Sequence, residues 1–423
     1  MAGKPNEAND KGKGKAEGSE KATSPDQTDP NLPSSSSQTP EKKLQQASAI
    51  TCDTASTNLP DLPVELIWKI ADSIQSSEDF VAFSGVCKAL RSVSLNIKWK
   101  PGLPLLLISA DTQHINNKQK IFSLYRNKLY ELDLPHVSGK RSFGSNHGWI
   151  VTITSDLQPH LINLVSRIQV SLPHLNTIRD QMGLLVALNI HKCILLKIIP
   201  EVDDENQFVV VVIFGKNHGL AFAKPTSVKW TIIRGLERIE DMALYRGQLH
   251  AIHKDGSLLR FASADPESTQ RSIAYRPDDV IRVERTYLLE TSEQLLGVFR
   301  FSHSTPFEER YGTKWFKVYQ LDVIGNGNKG AWQRLNHLGD WALFIGEGNS
   351  WPICTTNVPN CRRSCIYFTD DNWDQQGRGA GHHDRDIGLY DMESKKIERL
   401  EFGSHSPGHH SKSVWFTPIL RKT

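Results

Sequence analysis

The apolar side chains of this sequence change period once, and that change limits the fold more than any other feature. Between residues 59 and 101 they recur at helical spacing. From about residue 103 they alternate, the signature of strands that bury one face. Ile121-Phe122-Ser123-Leu124-Tyr125 and Lys128-Leu129-Tyr130-Glu131-Leu132 read as strands paired about a tight turn at Arg126-Asn127. Leu244 to Ile252 repeats this stretch almost position for position, with Gly247 where Asn127 stands, the point at which a primed turn needs positive φ. Asp255-Gly256, between His250-Ala251-Ile252 and Leu258-Leu259-Arg260-Phe261, signals another hairpin.

Two more segments recur. Gly144-Ser145-Asn146-His147-Gly148-Trp149-Ile150 is matched by Gly215-Lys216-Asn217-His218-Gly219-Leu220-Ala221, each leading into an apolar strand. Lys229-Trp230-Thr231-Ile232 is matched by Ala331-Trp332-Gln333-Arg334-Leu335, and the two Trp stand 102 positions apart, close to two units of about 50 residues. Self-similar β units of that size suggest a propeller, whose small antiparallel sheets bury their faces only against neighbours. Residues 105–420 divided into units of about 45–50 give six or seven blades. A ring protects its edges best when both ends of the domain share one blade, so Val414-Trp415-Phe416 is expected beside Leu105-Leu106-Leu107-Ile108. A large β-sandwich, or two unrelated β domains, is the competing arrangement.

Ahead of the β region the chain has two different parts. Residues 1–58 contain no Phe, Trp or Tyr and are rich in Lys, Glu, Ser, Pro, Gln and Asp. Such a segment cannot bury enough apolar surface to offset its chain entropy, so a disordered tail is expected. In residues 59–101, Asp61 can cap a first helix with Pro63 in its first turn. Leu66, Ile67, Ile70, Ala71 and Ile74 form its apolar face. Ser76 and Asp79 fit a capping box for a second helix carrying Phe80 and Phe83, which Gly85 breaks. A third helix carries Val86, Cys87, Leu90 and Val93. The fold class is α+β and multidomain: a tail, a small all-α module and an all-β propeller. Three short helices bury little surface alone, so the module calls for a partner.

The module resembles an F-box, the segment that docks a protein onto a Skp-type adaptor of a cullin ubiquitin ligase. The matching positions are Leu62-Pro63, Glu65-Leu66-Ile67, Ile70, Asp79, Phe83, Val86-Cys87-Lys88 and Arg91-Ser92. Leu90 departs, standing where the family usually carries Trp. The remainder is similar to plant F-box proteins with a KIB-type β-propeller. The matching stretches run from Gly144 to Thr152, Leu220 to Pro225 with Lys229-Trp230-Thr231, Ile239 to Gly247, and Tyr287 to Glu290. They continue in Phe316 to Asp322, Leu338 to Gly346, Cys365 to Asp371 and Trp415 to Pro418.

The resemblance implies a substrate receptor of an SCF-type ubiquitin ligase, without naming the substrate. The adaptor would meet Leu62, Pro63, Glu65, Leu66, Ile67, Ile70, Phe80, Phe83, Val86, Cys87, Leu90 and Arg91, and through it a cullin. Thioester chemistry would reside in other subunits, so no catalytic residue is expected in this chain. An ordinary helical hairpin packed on the next domain is the plainer explanation of residues 59–101.

Composition narrows the partners. Lys and Arg exceed Asp and Glu by 50 to 47, too even for a dedicated nucleic-acid binder. No apolar run approaches the 18 or more residues of a membrane span, and the N-terminus lacks an apolar signal region. A soluble protein of the cytoplasm, the nucleus or both is expected, with no membrane partner. The six cysteines, at 52, 87, 193, 354, 361 and 365, have no framework spacing and read as free thiols. Cys361 and Cys365 lack the second pair a structural zinc needs.

The most function-like loop runs from Thr369 to Ile387. Asp370, Asn372 and Asp374 resemble the start of a calcium loop, but Gln375 replaces the required Gly and Gly381 the bidentate Glu. No metal or cofactor is therefore expected. Trp373, His382 and His383 remain candidates for substrate contact. His147 and His218, sharing a repeat slot, suggest turn or core hydrogen bonds. Trp230, Trp332 and Trp415 suggest core. No phosphate loop or nucleophile elbow is present. Two rivals stay open: a binding scaffold without ligase association, and a propeller enzyme with carboxylates clustered in a polar central pocket.

Overall fold

The computed structural model describes residues 62–74, 76–96, 102–108, 118–145, 147–178, 189–197, 208–302, 312–324, 329–356, 358–371, 386–400 and 413–419. The tail, Asp61, and the loop side chains Trp373, His382 and His383 lie outside the described residues.

Three helices come first: α1 Val64–Ser73, α2 Ser77–Gly85 and α3 Lys88–Asn96. Pro63 is the N-cap of α1 rather than a residue of its first turn, and its carbonyl accepts from Leu66 N and Ile67 N at 3.0 and 3.2 Å. The Ser76 hydroxyl accepts from Asp79 N at 3.0 Å, the cap expected for α2. Val86 and Cys87 form the connection before α3 instead of entering that helix. Ile67, Leu90 and Val93 make the module's core, with Leu62, Val64, Phe83 and Cys87 packed against it.

The strands form six sheets, so the expected range of six or seven blades resolves to six. Blade 1 spans 105–133 and takes Val414–Phe416 from the chain's far end. Blades 2 to 5 span 141–171, 190–233, 239–274 and 285–335, each with four strands. Blade 6 spans 341–399 with five, because Trp351–Cys354 pairs antiparallel with Trp341–Ile345, which itself pairs parallel with Cys365–Phe368.

Each blade interface has its own apolar cluster, six in all around the ring. The strand Phe208–Phe214 shows how the pattern produces this. Phe208, Val210, Val212 and Phe214 face the cluster shared with blade 2, while Val209, Val211 and Ile213 face the one shared with blade 4. A middle strand of a blade is buried on both faces, which is why it reads as a continuous apolar run. Closure follows the expected pairing: Leu105, Leu106 and Leu107 stand opposite Phe416, Trp415 and Val414. Trp415 packs edge-on to Phe344 of blade 6, ring centroids 5.3 Å apart. A Cβ at Gly144 would come within 1.7 Å of the Trp415 carbonyl oxygen, so blade 2 closes against this strand only through a glycine.

Only one of the three sequence repeats has structural meaning. Trp230 leads into Thr231–Ile233 and Trp332 lies in Lys329–Leu335, the outermost strands of blades 3 and 5. The other two pairs fall in different slots. Arg246 and Gly247, at φ 49° and 72°, make a two-residue primed turn between the two innermost strands of blade 4. Their counterparts sit in a wider turn, Leu124 to Asn127, in the outer hairpin of blade 1. Similar turn chemistry had imitated a blade repeat.

Candidate functional site

Two regions present chemistry beyond packing. The first is the outside of the helical module. Leu66 and Ile70 are one turn apart on α1, and they remain 43% and 42% exposed, with Trp68 at 46% and Val86 at 51%. Pro63 and Glu65 are exposed too, while Leu62, Phe83, Cys87 and Arg91 are half-buried. Ile67, Phe80 and Leu90 are buried within the chain. Leu90, the departure from the F-box pattern, is thus a core residue of the module rather than part of its open face. Trp68 was not singled out from the sequence because it lies off the Leu66–Ile70 stripe.

The second region is a narrow cleft on the propeller axis, whose cavity of about 20 Å³ has room for a group the size of a water molecule. The innermost strands of blades 3, 4 and 5 bring their first residues to it: His191 and Lys192, Glu240, and Arg285 with Thr286 and Tyr287. Gly346, Glu347 and Asp371 arrive from blade 6 and His218 from a turn of blade 3. The turn 346–350 crosses the axis to the opposite blade. Lys192 Nζ donates to the Gly346 carbonyl at 3.1 Å, and Asn349 exchanges two hydrogen bonds with the Leu195 backbone. A Cβ at Gly348 would meet the Gly144 carbonyl oxygen at 2.1 Å, so this crossing also depends on a glycine.

The cleft rests on a buried ionic network. Lys192 Nζ donates to Asp241 at 2.9 Å, and Asp241 also accepts from the backbone of Met242 and Leu288. Arg300, completely buried, donates to Asp371 at 2.7 Å, the Thr369 carbonyl at 2.9 Å, Thr313 at 2.6 Å, and Asp386. Tyr287 donates its hydroxyl to Asp371, and Arg399 pairs with Asp386. Arg285 stands 3.7 Å from Glu240 and Arg141 3.4 Å from Glu347.

Electrostatics within the network differ from group to group. Burial works to raise the Asp386 carboxyl, but Arg300, the Thr313 hydrogen bonds and Arg399 together hold it below the usual range. Burial pushes Asp241 up, with Lys192 and the two backbone donors opposing. Burial, reinforced by Asp371, likewise keeps the Tyr287 hydroxyl protonated.

The carboxylates envisaged by an enzyme reading are therefore present in the cleft, each with a cationic partner. His218 belongs to this cleft, its ring stacked on His191 at 4.1 Å, whereas His147 lies beside Phe208. The shared repeat slot hid that difference. Asp371 and Asp386 flank the loop picked out in the sequence, so the network grips its two described ends. Arg300, a lone charge in the strand Leu295–Ser302, was the overlooked signal. Among the described residues, no group of three or more His, Cys, Asp or Glu side chains is arranged to hold a metal ion.

The module and the cleft lie at opposite ends of the ring. Arg141, first residue of blade 2's inner strand, pairs with Glu347 at the cleft, while Gly144, just past that strand, lies at the far end against Trp415. Thr417 bonds Ser145 there, and Phe416 stands opposite Leu105, which in turn pairs with Ser123. The turn Leu124 to Asn127 is therefore at the far end, and its Arg126 pairs with Asp79 of α2.

Two Arabidopsis thaliana proteins illustrate what the chain is similar to. The F-box protein SKIP23 is 22% identical over 396 residues, covering 80% of this chain and 90% of that protein. The F-box/kelch-repeat protein KIB1 is 22% identical over 281 residues, covering 64% and 67%. The family model of the KIB1-4 beta-propeller matches residues 121–391, more than half of the sequence. With that match lying across blades 1 to 6 of a six-bladed ring, the chain belongs to the KIB1-4 beta-propeller family.

Proposed function

We propose that this chain is the substrate-recognition subunit of an SCF-type E3 ubiquitin ligase, acting in the cytoplasm, the nucleus or both. The helical module is its F-box and docks a Skp-type adaptor, and through it a cullin. The propeller holds the protein to be ubiquitinated. One observation carries the proposal: Leu66, Trp68, Ile70 and Val86 stay exposed on a module whose apolar cluster is Ile67, Leu90 and Val93 with four flanking side chains. Several large apolar side chains left exposed on so small a module mark an interaction site. The F-box names of the two plant relatives agree with it. The chain's contribution to the reaction is proximity, holding a substrate lysine near the charged ubiquitin carrier. It supplies no catalytic group of its own.

Calorimetric titration of the full chain with a Skp-type adaptor tests this. Replacing Leu66 and Ile70 together by Ala should weaken binding by about tenfold or more, since each buried apolar side chain contributes about 1.5–3 kcal/mol. The propeller should melt as before. Equal affinities, or no binding by the unaltered chain, would favour a scaffold without ligase association.

A further inference from the structure

We propose that the axial cleft anchors a primary ammonium group of the bound protein, held by Glu240 and Thr286. That the ligand belongs to a protein rests on the function proposed above; the chemistry of the cleft does not. Two buried oxygens on residues that line the cleft lack a hydrogen bond, Glu240 Oε1 and Thr286 Oγ1, on residues only 6% and 2% exposed. His218 Nδ1 comes within 3.1 Å of that Glu240 oxygen, yet the contact is not directed as a hydrogen bond. Buried polar atoms are almost always satisfied, so two unsatisfied acceptors on one cleft call for a donor.

The cations around the cleft are already engaged. Lys192 bonds Asp241 and the Gly346 carbonyl, and Arg285 faces Glu240 Oε2 and the Asp371 carbonyl. An anion entering here would find its donors committed and three carboxylates, Glu240, Glu347 and Asp371, beside it. A guanidinium prefers both oxygens of a carboxylate, and Arg285 already takes one side of Glu240. An ammonium, a compact charge with three donors, needs only the Glu240 oxygen that accepts no hydrogen bond and the threonine hydroxyl. The cleft opens at the end of the ring away from the module, where a substrate does not compete with the adaptor for space.

A lysine side chain and a chain N-terminus share this chemistry, and separate probes distinguish them. The full chain is titrated, by ligand-observed NMR, with N-acetyl-lysine amide, alanine amide, n-butanol and butyrate. One or both ammonium probes should bind, and butanol and butyrate should bind at least tenfold more weakly. Glu240→Gln should weaken ammonium binding about tenfold and Thr286→Val about threefold. Thr286→Val removes a hydroxyl that bonds nothing, so its unchanged melt controls for folding. Preference for butyrate, ammonium binding unaltered by Glu240→Gln, or binding of none of the four would overturn the proposal. None of these results depends on adaptor binding, so the two proposals fail separately.

Discussion

The helical module and the propeller solve the problem of burial in opposite ways. Each blade covers both faces against neighbours, and the ring leaves six apolar clusters with no open sheet edge at the joint. The module encloses Ile67, Leu90 and Val93 and leaves Leu66, Trp68, Ile70 and Val86 facing outward. Closure makes the propeller self-sufficient, whereas the module leaves large apolar side chains on its outer face. Substitutions should therefore separate stability from binding: in the propeller they should move the melt, on the module's face they should move affinity.

The largest effects should come from the ring. Trp415→Ala removes a closing aromatic, and a large-to-small change of this kind costs about 3–5 kcal/mol. A urea melt should show it, while adaptor affinity stays as in the unaltered chain. A cooperative melt at the original midpoint would mean the ring does not depend on its last strand. Arg300→Leu should destabilise comparably, by about 3–5 kcal/mol, because Asp371 and Asp386 would be left as buried charges without their common cation. A loss under 1 kcal/mol would show that the network is not held together by charge.

Acid should weaken the propeller through His250. Burial, assisted by nearby Arg260, lowers its pKa from 6.5 to about 4, against the Gln248 carbonyl bond that favours protonation. Between those values the unfolded chain binds the proton that the folded chain refuses, so stability is full above about 6.5 and falls as pH drops toward 4. At 1.36 kcal/mol per unit the loss is about 3 kcal/mol. Unfolding free energies at pH 7 and 4.5 should show it, and His250→Gln should flatten the difference.

Smaller effects belong to the module. Leu90→Trp, which restores the residue usual in F-boxes, should cost the module about 1–3 kcal/mol by overpacking its core. Calorimetry of the Trp variant should therefore find adaptor binding no tighter. Tighter binding would mean the site opens outward. The smallest change should come from Arg126→Ala, which cuts an exposed ion pair to Asp79. Such pairs contribute little, so the melt should not move measurably.

Much of this molecule was readable from local pattern, since hairpins and helices depend on neighbours in sequence. Asp255-Gly256 does turn a hairpin, with Gly256 at φ 88°, and Ser76 does cap α2. Alternation of apolar residues located the strands, and the demand for a closed edge placed Val414–Phe416 beside Leu105–Ile108. Local pattern also misled where unrelated turns use similar residues, as at Arg126 and Arg246. The axial cleft was not readable at all. Lys192, Glu240, Arg285, Arg300, Asp371 and Asp386 come from four blades, and no sequence spacing links them.

By itself the sequence determined the helical module, the β units and the partner that closes the ring, because turn chemistry and side-chain period act over a few residues. The tertiary structure alone decided the number of blades, the inward place of Leu90, and the assembly of charges on the axis. These depend on which faces meet when six sheets pack around one centre, and that geometry is set by long-range burial rather than by any neighbouring residue.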